Sequence, residues 1–348
     1  MQWDWRKRTG VVSAARTILH NQFRYRVLGR KDLRPMYVVW HVTLRCNLAC
    51  SFCDDGAGKK YPEVRYPELS TGEACRLLKL IRSACRSIYF TGGEPLVRKD
   101  LPSLLEYSRQ LRFWPIFVNT NLTLRKPLEE AVENIDVLVV SLGSAEESRY
   151  DLVIGKRGQT RKIVENLKFC AARQAQGGMR VVVQCVICAG RVADARTVLA
   201  LCRQHGIWFS PAPEVRGTEV DPRLLADPGY DRLVDDILAA KKAGARIYGS
   251  FQGLETLLRV RPFTCHPTLA PQLYPNGDLF YPCKPLRRIA ANVLETGCFE
   301  EAWRAGEQPA QTPACDHRCH LTCYVNDSQW MENPIGIIGE NIRLRHEQ

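Results

Sequence analysis

No stretch of the 348 residues approaches the ~18 consecutive apolar residues of a membrane-spanning helix. The N-terminus also lacks the apolar core of a secretory signal, so the sequence predicts neither an integral membrane protein nor an exported one, and a cytoplasmic location is expected. No internal repeat and no low-complexity tract interrupts the chain, which sets aside solenoids and compositionally biased linkers. What is present is 45% apolar residues, enough for one large core and a smaller unit beside it. Fifteen cysteines without an export signal argue for thiols available to metals rather than for a disulfide framework.

Acidic residues are also scarce at the start. Residues 1–35 hold nine Lys or Arg against Asp4 and Asp32, and the whole chain carries a formal charge of +12. Val12, Ala15, Leu19 and Phe23 recur there at helical spacing, which predicts an amphipathic helix. It either packs on the body with a solvated basic face or rests on an anionic surface such as a membrane.

From Met36 onward, apolar β-type runs at 37–43, 87–90, 116–119, 137–142, 180–187 and 208–210 alternate with helical patterns at 72–84, 101–111, 128–134, 160–174 and 193–204. That alternation predicts a parallel sheet with covering helices. The expected division is a basic segment over 1–35, an α/β core over 36–213, a helical connection over 214–260, a cysteine-rich extension over 261–330 and a tail over 331–348.

The chemistry gathers at 41–53, HVTLRCNLACSFC, which sets Cys46, Cys50 and Cys53 in a CxxxCxxC spacing directly after the first strand. Structural zinc takes four protein ligands, whereas a cubane iron-sulfur cluster held by three cysteines keeps one iron open for chemistry. With Phe52 before the last cysteine, the segment resembles the signature of the radical SAM enzymes. The resemblance implies a partial (β/α)6 TIM-like barrel, a catalytic 4Fe-4S cluster on the three cysteines, and S-adenosylmethionine chelated to its open iron. One electron, from a donor such as flavodoxin or ferredoxin, then cleaves the sulfonium to methionine and a 5'-deoxyadenosyl radical that abstracts a substrate hydrogen.

Other residues fit the same resemblance. TGGEP at 91–95 matches the family's GGEP motif, which implies cofactor contacts from Gly92, Gly93 and Glu94. Its glycines would let backbone approach a ligand, and the glutamate would face the ligand ammonium. Asn121 ends the third strand, and Ser141 stands where relatives have a serine that reaches the SAM carboxylate; both are candidate cofactor contacts, or ordinary polar strand ends. Gly143 and Ser144 replace the usual aspartate and glycine, leaving open the substrate contact expected of that aspartate. His41, Asp54 and Asp55 neighbour the cysteine loop in sequence.

Six cysteines lie from 265 to 323: Cys265, Cys283, Cys298, Cys315, Cys319 and Cys323. PNGDLFYPC at 275–283 reads as a hairpin turning at Asn276-Gly277, and it is similar to the opening of SPASM and twitch extensions. The resemblance implies an auxiliary 4Fe-4S cluster on Cys265, Cys283 and two of Cys315, Cys319 and Cys323; a zinc site using His317 or His320 is the alternative. Cys298 is core filler, a spare ligand or a hydrogen donor to a substrate radical. Cys75, Cys85, Cys170 and Cys202 read as core filler, and Cys185 and Cys188, three apart on a strand, should point to opposite faces.

The expected function is hydrogen abstraction leading to oxidation or another modification of a small-molecule, lipid-pathway or peptide substrate. Addition of the adenosyl group to an isoprenoid or lipid-pathway substrate is the alternative within the family. No winged-helix leader-binding domain precedes the barrel, which disfavours a ribosomal peptide, and 35 residues leave no room for a cobalamin domain. A zinc-containing nucleic-acid-binding protein would account for charge and cysteines but not for TGGEP or the barrel pattern.

Overall fold

Strand β1, Val38–Thr43, reads VVWHVT and is buried along its whole length. Val38, Trp40 and Val42 are inaccessible and join the core under the helices. The alternate side chains face the inside of the sheet, because neighbours on a strand point to opposite faces. In this computed structural model, which describes residues 5–53, 66–307, 319–338 and 340, five more strands continue the pattern in parallel. They are β2 (Ile88–Gly92), β3 (Ile116–Thr120), β4 (Val137–Ser141), β5 (Arg180–Ile187) and β6 (Trp208–Pro213).

Helix α1, Trp5–Arg26, precedes the sheet. The crossovers are α2 (Thr71–Ala84), α3 (Leu101–Gln110), α4 (Arg125–Ala131), the pair α5 (Glu147–Ile154) and α6 (Gln159–Ala175), and α7 (Val192–Gln204). Their order is that of a partial (β/α)6 barrel. Helix α2 illustrates why they form. Ser70 and Glu73 make a reciprocal capping box at its start, worth about 1 kcal/mol. Leu77, Leu78 and Ile81 recur on one face and are fully buried, each contributing roughly 1.5–3 kcal/mol.

The connection after β6 is more ordered than its turn residues suggested. A small hairpin, β7 (Val215–Arg216) and β8 (Glu219–Val220), leads to α8 (Pro222–Leu225), α9 (Tyr230–Lys242) and α10 (Phe251–Leu258). Ile247 bridges back to Phe209 on β6. The extension then returns to the opposite edge: β9 (Gln272–Leu273) pairs with β1 in parallel, and β10 (Asp278–Phe280) and β11 (Ile289–Asn292) follow antiparallel. One nine-stranded sheet results, ordered β11-β10-β9-β1-β2-β3-β4-β5-β6. Helices α11 (Val293–Thr296), α12 (Phe299–Gly306) and α13 (Thr322–Glu332) complete the described extension.

Helix α1 packs on the body as expected of a covering helix, but not by its apolar row. Gly10 lies against the Trp114 ring, where a Cβ would sit 2.0 Å from Cε3, and Asn21 is buried with its amide bonded to Arg34. Val12, Leu19 and Phe23 point outward.

Candidate active site

The loop after β1 is fastened on both sides. Ala49 and Ser51 donate their N–H groups to Ile154 and Val153 at the end of α5, at 3.0 and 2.8 Å. Opposite, Gly93 and Glu94 donate to the carbonyls of Thr43 and Arg45, both at 2.9 Å. Leu48 is buried beneath the loop, Phe52 packs on the core, and Arg45 is clasped by Glu68 at 2.7 and 2.9 Å. The three cysteines are thus presented on an anchored loop at the carboxyl end of β1, where barrel enzymes gather their reacting groups.

Cys46 and Cys50 are half-buried, Cys53 is exposed, and none of them is in a disulfide. Burial, with charge on Cys53 and Cys46 adding to it, pushes the Cys50 thiol up to about 12; burial likewise raises Cys46. Three thiols that repel one another's charge ionise together only around a cationic guest. The donor set therefore fits a metal cluster. Among the described residues no three His, Cys, Asp or Glu side chains are drawn together as a single-ion site, and a cubane takes its cysteines wider apart than one ion does.

The two glycines serve the chain itself, whatever they do for a ligand. At Gly92, φ is +148° and a Cβ would lie 2.1 Å from the Thr43 carbonyl oxygen; at Gly93 it would lie 2.3 Å from that of Arg45. The space left by the missing side chains is occupied by the stem of the cysteine loop itself. Glu94 is also turned to the protein: it is fully buried, with its carboxylate accepting from Leu96 N–H at 3.0 Å, the Thr120 hydroxyl at 2.8 Å and Asn121 N–H at 2.6 Å. Burial outweighs these bonds and raises its carboxyl to about 7.

Asn121 is brought to the cysteine loop. Its amide donates to Asn47 at 2.8 Å and toward the Cys46 sulfur at 3.9 Å, while its carbonyl accepts from the Thr123 N–H and hydroxyl at 3.1 and 2.7 Å. Asn47 closes the ring by donating to the Thr123 hydroxyl at 2.8 Å. Sequence reasoning missed Asn47 and Thr123, and the only available sign was the position of Asn47 directly after Cys46. Ser141 ends β4 beside Gln184 and donates to Asn119 at 3.4 Å. Ser144 is buried and caps the next turn by accepting from Glu146 N–H at 3.1 Å.

In the extension, Tyr324 is buried at the start of α13 within electrostatic reach of Cys323, Cys283 and Cys319. The backbone N–H of His266, which follows Cys265, bonds Ser328 on the same helix at 2.9 Å. Cys315, together with His317, Asp54 and Asp55, lies outside the described residues. His320 Nε2 is 3.1 Å from the Arg261 carbonyl and the ring meets Phe263 edge-on. Cys298 precedes α12 and donates to Glu300 at 3.4 Å. Cys85, Cys170 and Cys202 are buried and Cys75 half-buried; Cys185 on β5 is buried, and Cys188, which follows the strand's last residue, is half-buried.

A polar path runs from β1 into the extension. Gln272 on β9 accepts from His41 Nε2–H at 3.1 Å and donates its amide NH2 to the Tyr324 hydroxyl at 3.0 Å. Burial, reinforced by Lys284, lowers His41 to about 3, so this imidazole is neutral and serves as a hydrogen-bonding spacer. It faces the extension, not the cysteine loop.

Residues 40–187 match the family model described as the radical SAM superfamily. A curated relative, Fe-coproporphyrin III synthase of Methanosarcina barkeri, is 33% identical over 160 residues, which is 44% of this chain and 38% of that protein. Mycofactocin maturase MftC of Mycolicibacterium smegmatis is 25% identical over 311 residues, covering 81% of this chain and 74% of the relative. The chain thus spans well under half of the first relative and about three quarters of the second. Among solved structures, Streptococcus suis SuiB bound to S-adenosylmethionine shares the fold at a TM-score of 0.58 with 16% identity, over 89% of this chain and 70% of that one. The structure titled anSMEcpe with bound AdoMet gives 0.58 with 13% identity, over 88% and 99%.

Proposed function

We propose that the chain is a radical SAM enzyme that uses a 4Fe-4S cluster and S-adenosylmethionine and abstracts a hydrogen from a peptide or small-molecule substrate to oxidise or otherwise modify it, a reading that the family match over residues 40–187 and the similarity to MftC support. The observation that carries this reading is the three-cysteine loop clamped between the GGE segment and α5. Cys46, Cys50 and Cys53 hold the cluster, which when bound supplies one-electron cleavage of the sulfonium to methionine and a 5'-deoxyadenosyl radical. Gly92, Gly93 and Glu94 fix the loop's stem and thereby the direction of the three sulfurs. Asn121, with Asn47 and Thr123, orients Cys46 and supplies an N–H toward its sulfur, the kind of outer contact that tunes a metal centre. Ser141 stands at the end of β4, on the face turned to the inside of the barrel, and would meet the cofactor carboxylate.

Cys265, Cys283 and two of Cys315, Cys319 and Cys323 hold an auxiliary 4Fe-4S cluster that anchors the substrate or accepts its electron. Cys283, Cys319 and Cys323 all lie within electrostatic reach of the buried Tyr324, which supports one shared site, and iron content separates a cluster from zinc there. Relatives whose names include a PqqA peptide cyclase of Xanthomonas euvesicatoria, and a solved SuiB structure holding its precursor peptide, favour a peptide among the substrate classes.

Anaerobically reconstituted protein tests the reading. About eight irons per chain, falling to about four in Cys46→Ala/Cys50→Ala/Cys53→Ala, is the expected result. Four in the wild type and none in the variant would remove the auxiliary cluster. Release of 5'-deoxyadenosine supports hydrogen abstraction, whereas an adenosylated product would turn the assignment to group addition.

A further inference from the structure

Residues 5–31 contain eight Lys or Arg and no Asp or Glu. Most of this segment is α1, and at 3.6 residues per turn its two long faces can be told apart. The face carrying Gly10, Asn21 and Tyr25 meets the body: Gly10 on Trp114, Asn21 on Arg34, and the Tyr25 ring edge-on to His266 at 4.6 Å. The opposite face carries Val12, Leu19 and Phe23, exposed by 47%, 70% and 54%. Six of the twelve large apolar side chains exposed among the described residues fall between Val11 and Leu28. Half of these exposed side chains are therefore concentrated on one helix and the turn that ends it.

Charge says what covers this row. Arg16 is exposed on the same side, and Lys31 and Arg34 are exposed just beyond the helix, where Arg30 is paired with Asp32 at 2.8 Å. A second copy of the face would set arginine against arginine, with no carboxylate on either helix to pair them. A bilayer carrying anionic lipid matches both features at once, phosphates for the cations and the acyl boundary for valine, leucine and phenylalanine. We propose that α1 is a peripheral membrane anchor, laying the row Val12, Leu19 and Phe23 into the interface of an anionic lipid bilayer. The row is short, so binding is reversible and depends on charge and apolar contact together. It brings the barrel to a lipid surface whatever reaction the cysteines support, and it goes beyond that reading without resting on it.

Co-sedimentation of the full chain with phosphatidylcholine vesicles, with or without about one third phosphatidylglycerol, tests this and needs no cluster. Wild type should pellet with the anionic vesicles and stay in solution with neutral ones. Leu19→Gln/Phe23→Gln should lower partitioning at least about tenfold, and Arg16→Gln or raised salt several-fold. All these side chains are exposed, so the thermal midpoint should hold and report that the variants fold. Equal binding to neutral vesicles, no binding to either, or an unchanged double variant would overturn the anchor. So would light scattering that shows a dimer dispersed by the Gln substitutions, since the row would then be an interface between copies.

Discussion

Gly92→Ala asks whether the GG pair is there for a ligand or for the chain. The added Cβ would stand 2.1 Å from the Thr43 oxygen and 3.2 Å from its carbonyl carbon. Both are backbone atoms held in a hydrogen-bonded strand end, so neither can swing aside as a side-chain tip would. Relief requires β2 and the loop stem to part by about 1 Å, an overpacking cost of roughly 1–3 kcal/mol. The φ of +148° adds about 1–2 kcal/mol for any L side chain. A loss of about 2–5 kcal/mol follows, if the bond from Gly93 N–H to Thr43 is retained in part. The measurement is urea unfolding of cluster-free protein, where a cofactor-only role for the glycine would leave stability unchanged. Gly72→Ala is the matched control, because nothing lies within 4 Å of its Cβ on α2 and the change there should stabilise by about 0.5–1 kcal/mol. A Gly92→Ala protein within about 1 kcal/mol of wild type would refute the packing argument.

Glu94→Gln places an amide NH2 among three donors and should cost about 1–3 kcal/mol near pH 5. The buried carboxyl has its folded value raised to about 7 from the usual 4.5, so its contribution is full below about 4.5 and is lost as pH rises through 7. The gap between wild type and variant must therefore narrow across that window; a gap that widens with pH in paired urea titrations contradicts the assignment. Asn121→Ala removes the N–H near Cys46 and unties Asn47 and Thr123; iron content should hold while 5'-deoxyadenosine formation drops about tenfold. Loss of iron in proportion to activity would make Asn121 a structural support only. Tyr324→Phe leaves the Gln272 amide without its hydroxyl acceptor and should lower stability by about 1–2 kcal/mol, a loss that calorimetry can read and that Gln272→Leu in the same background should not double.

The six parallel strands were legible because each is a compact apolar run followed by a helical period, and the cysteine spacing was legible because its ligands are local in sequence. Glycine at 92 and 93 announced a close approach but not what approaches. That identity depends on Thr43 and Arg45, about fifty residues earlier on a neighbouring strand. The ring of Asn47, Asn121 and Thr123 had no periodic signature, since polar partners on separate loops leave no pattern in either loop. For the same reason β9 escaped notice: two residues, Gln272 and Leu273, are too few for a strand signal, and their pairing with Val39 and Trp40 spans more than two hundred positions. Helical spacing did mark the apolar row of α1, yet periodicity cannot say which face meets the body. Gly10 against Trp114 decides that, and it points the row outward.

The pairing of β9 with β1 also orders the protein's birth. The first strand to leave the ribosome keeps one hydrogen-bonding edge open while β2 through β6 are added on the other. Its Val39 N–H finds the Pro271 carbonyl only after some 230 further residues have been synthesised. Until then an apolar strand edge is offered to any passing chain. A truncation ending short of Gln272 would make that interval permanent, so the extension that carries the second cysteine group is also the seal on the barrel's oldest strand.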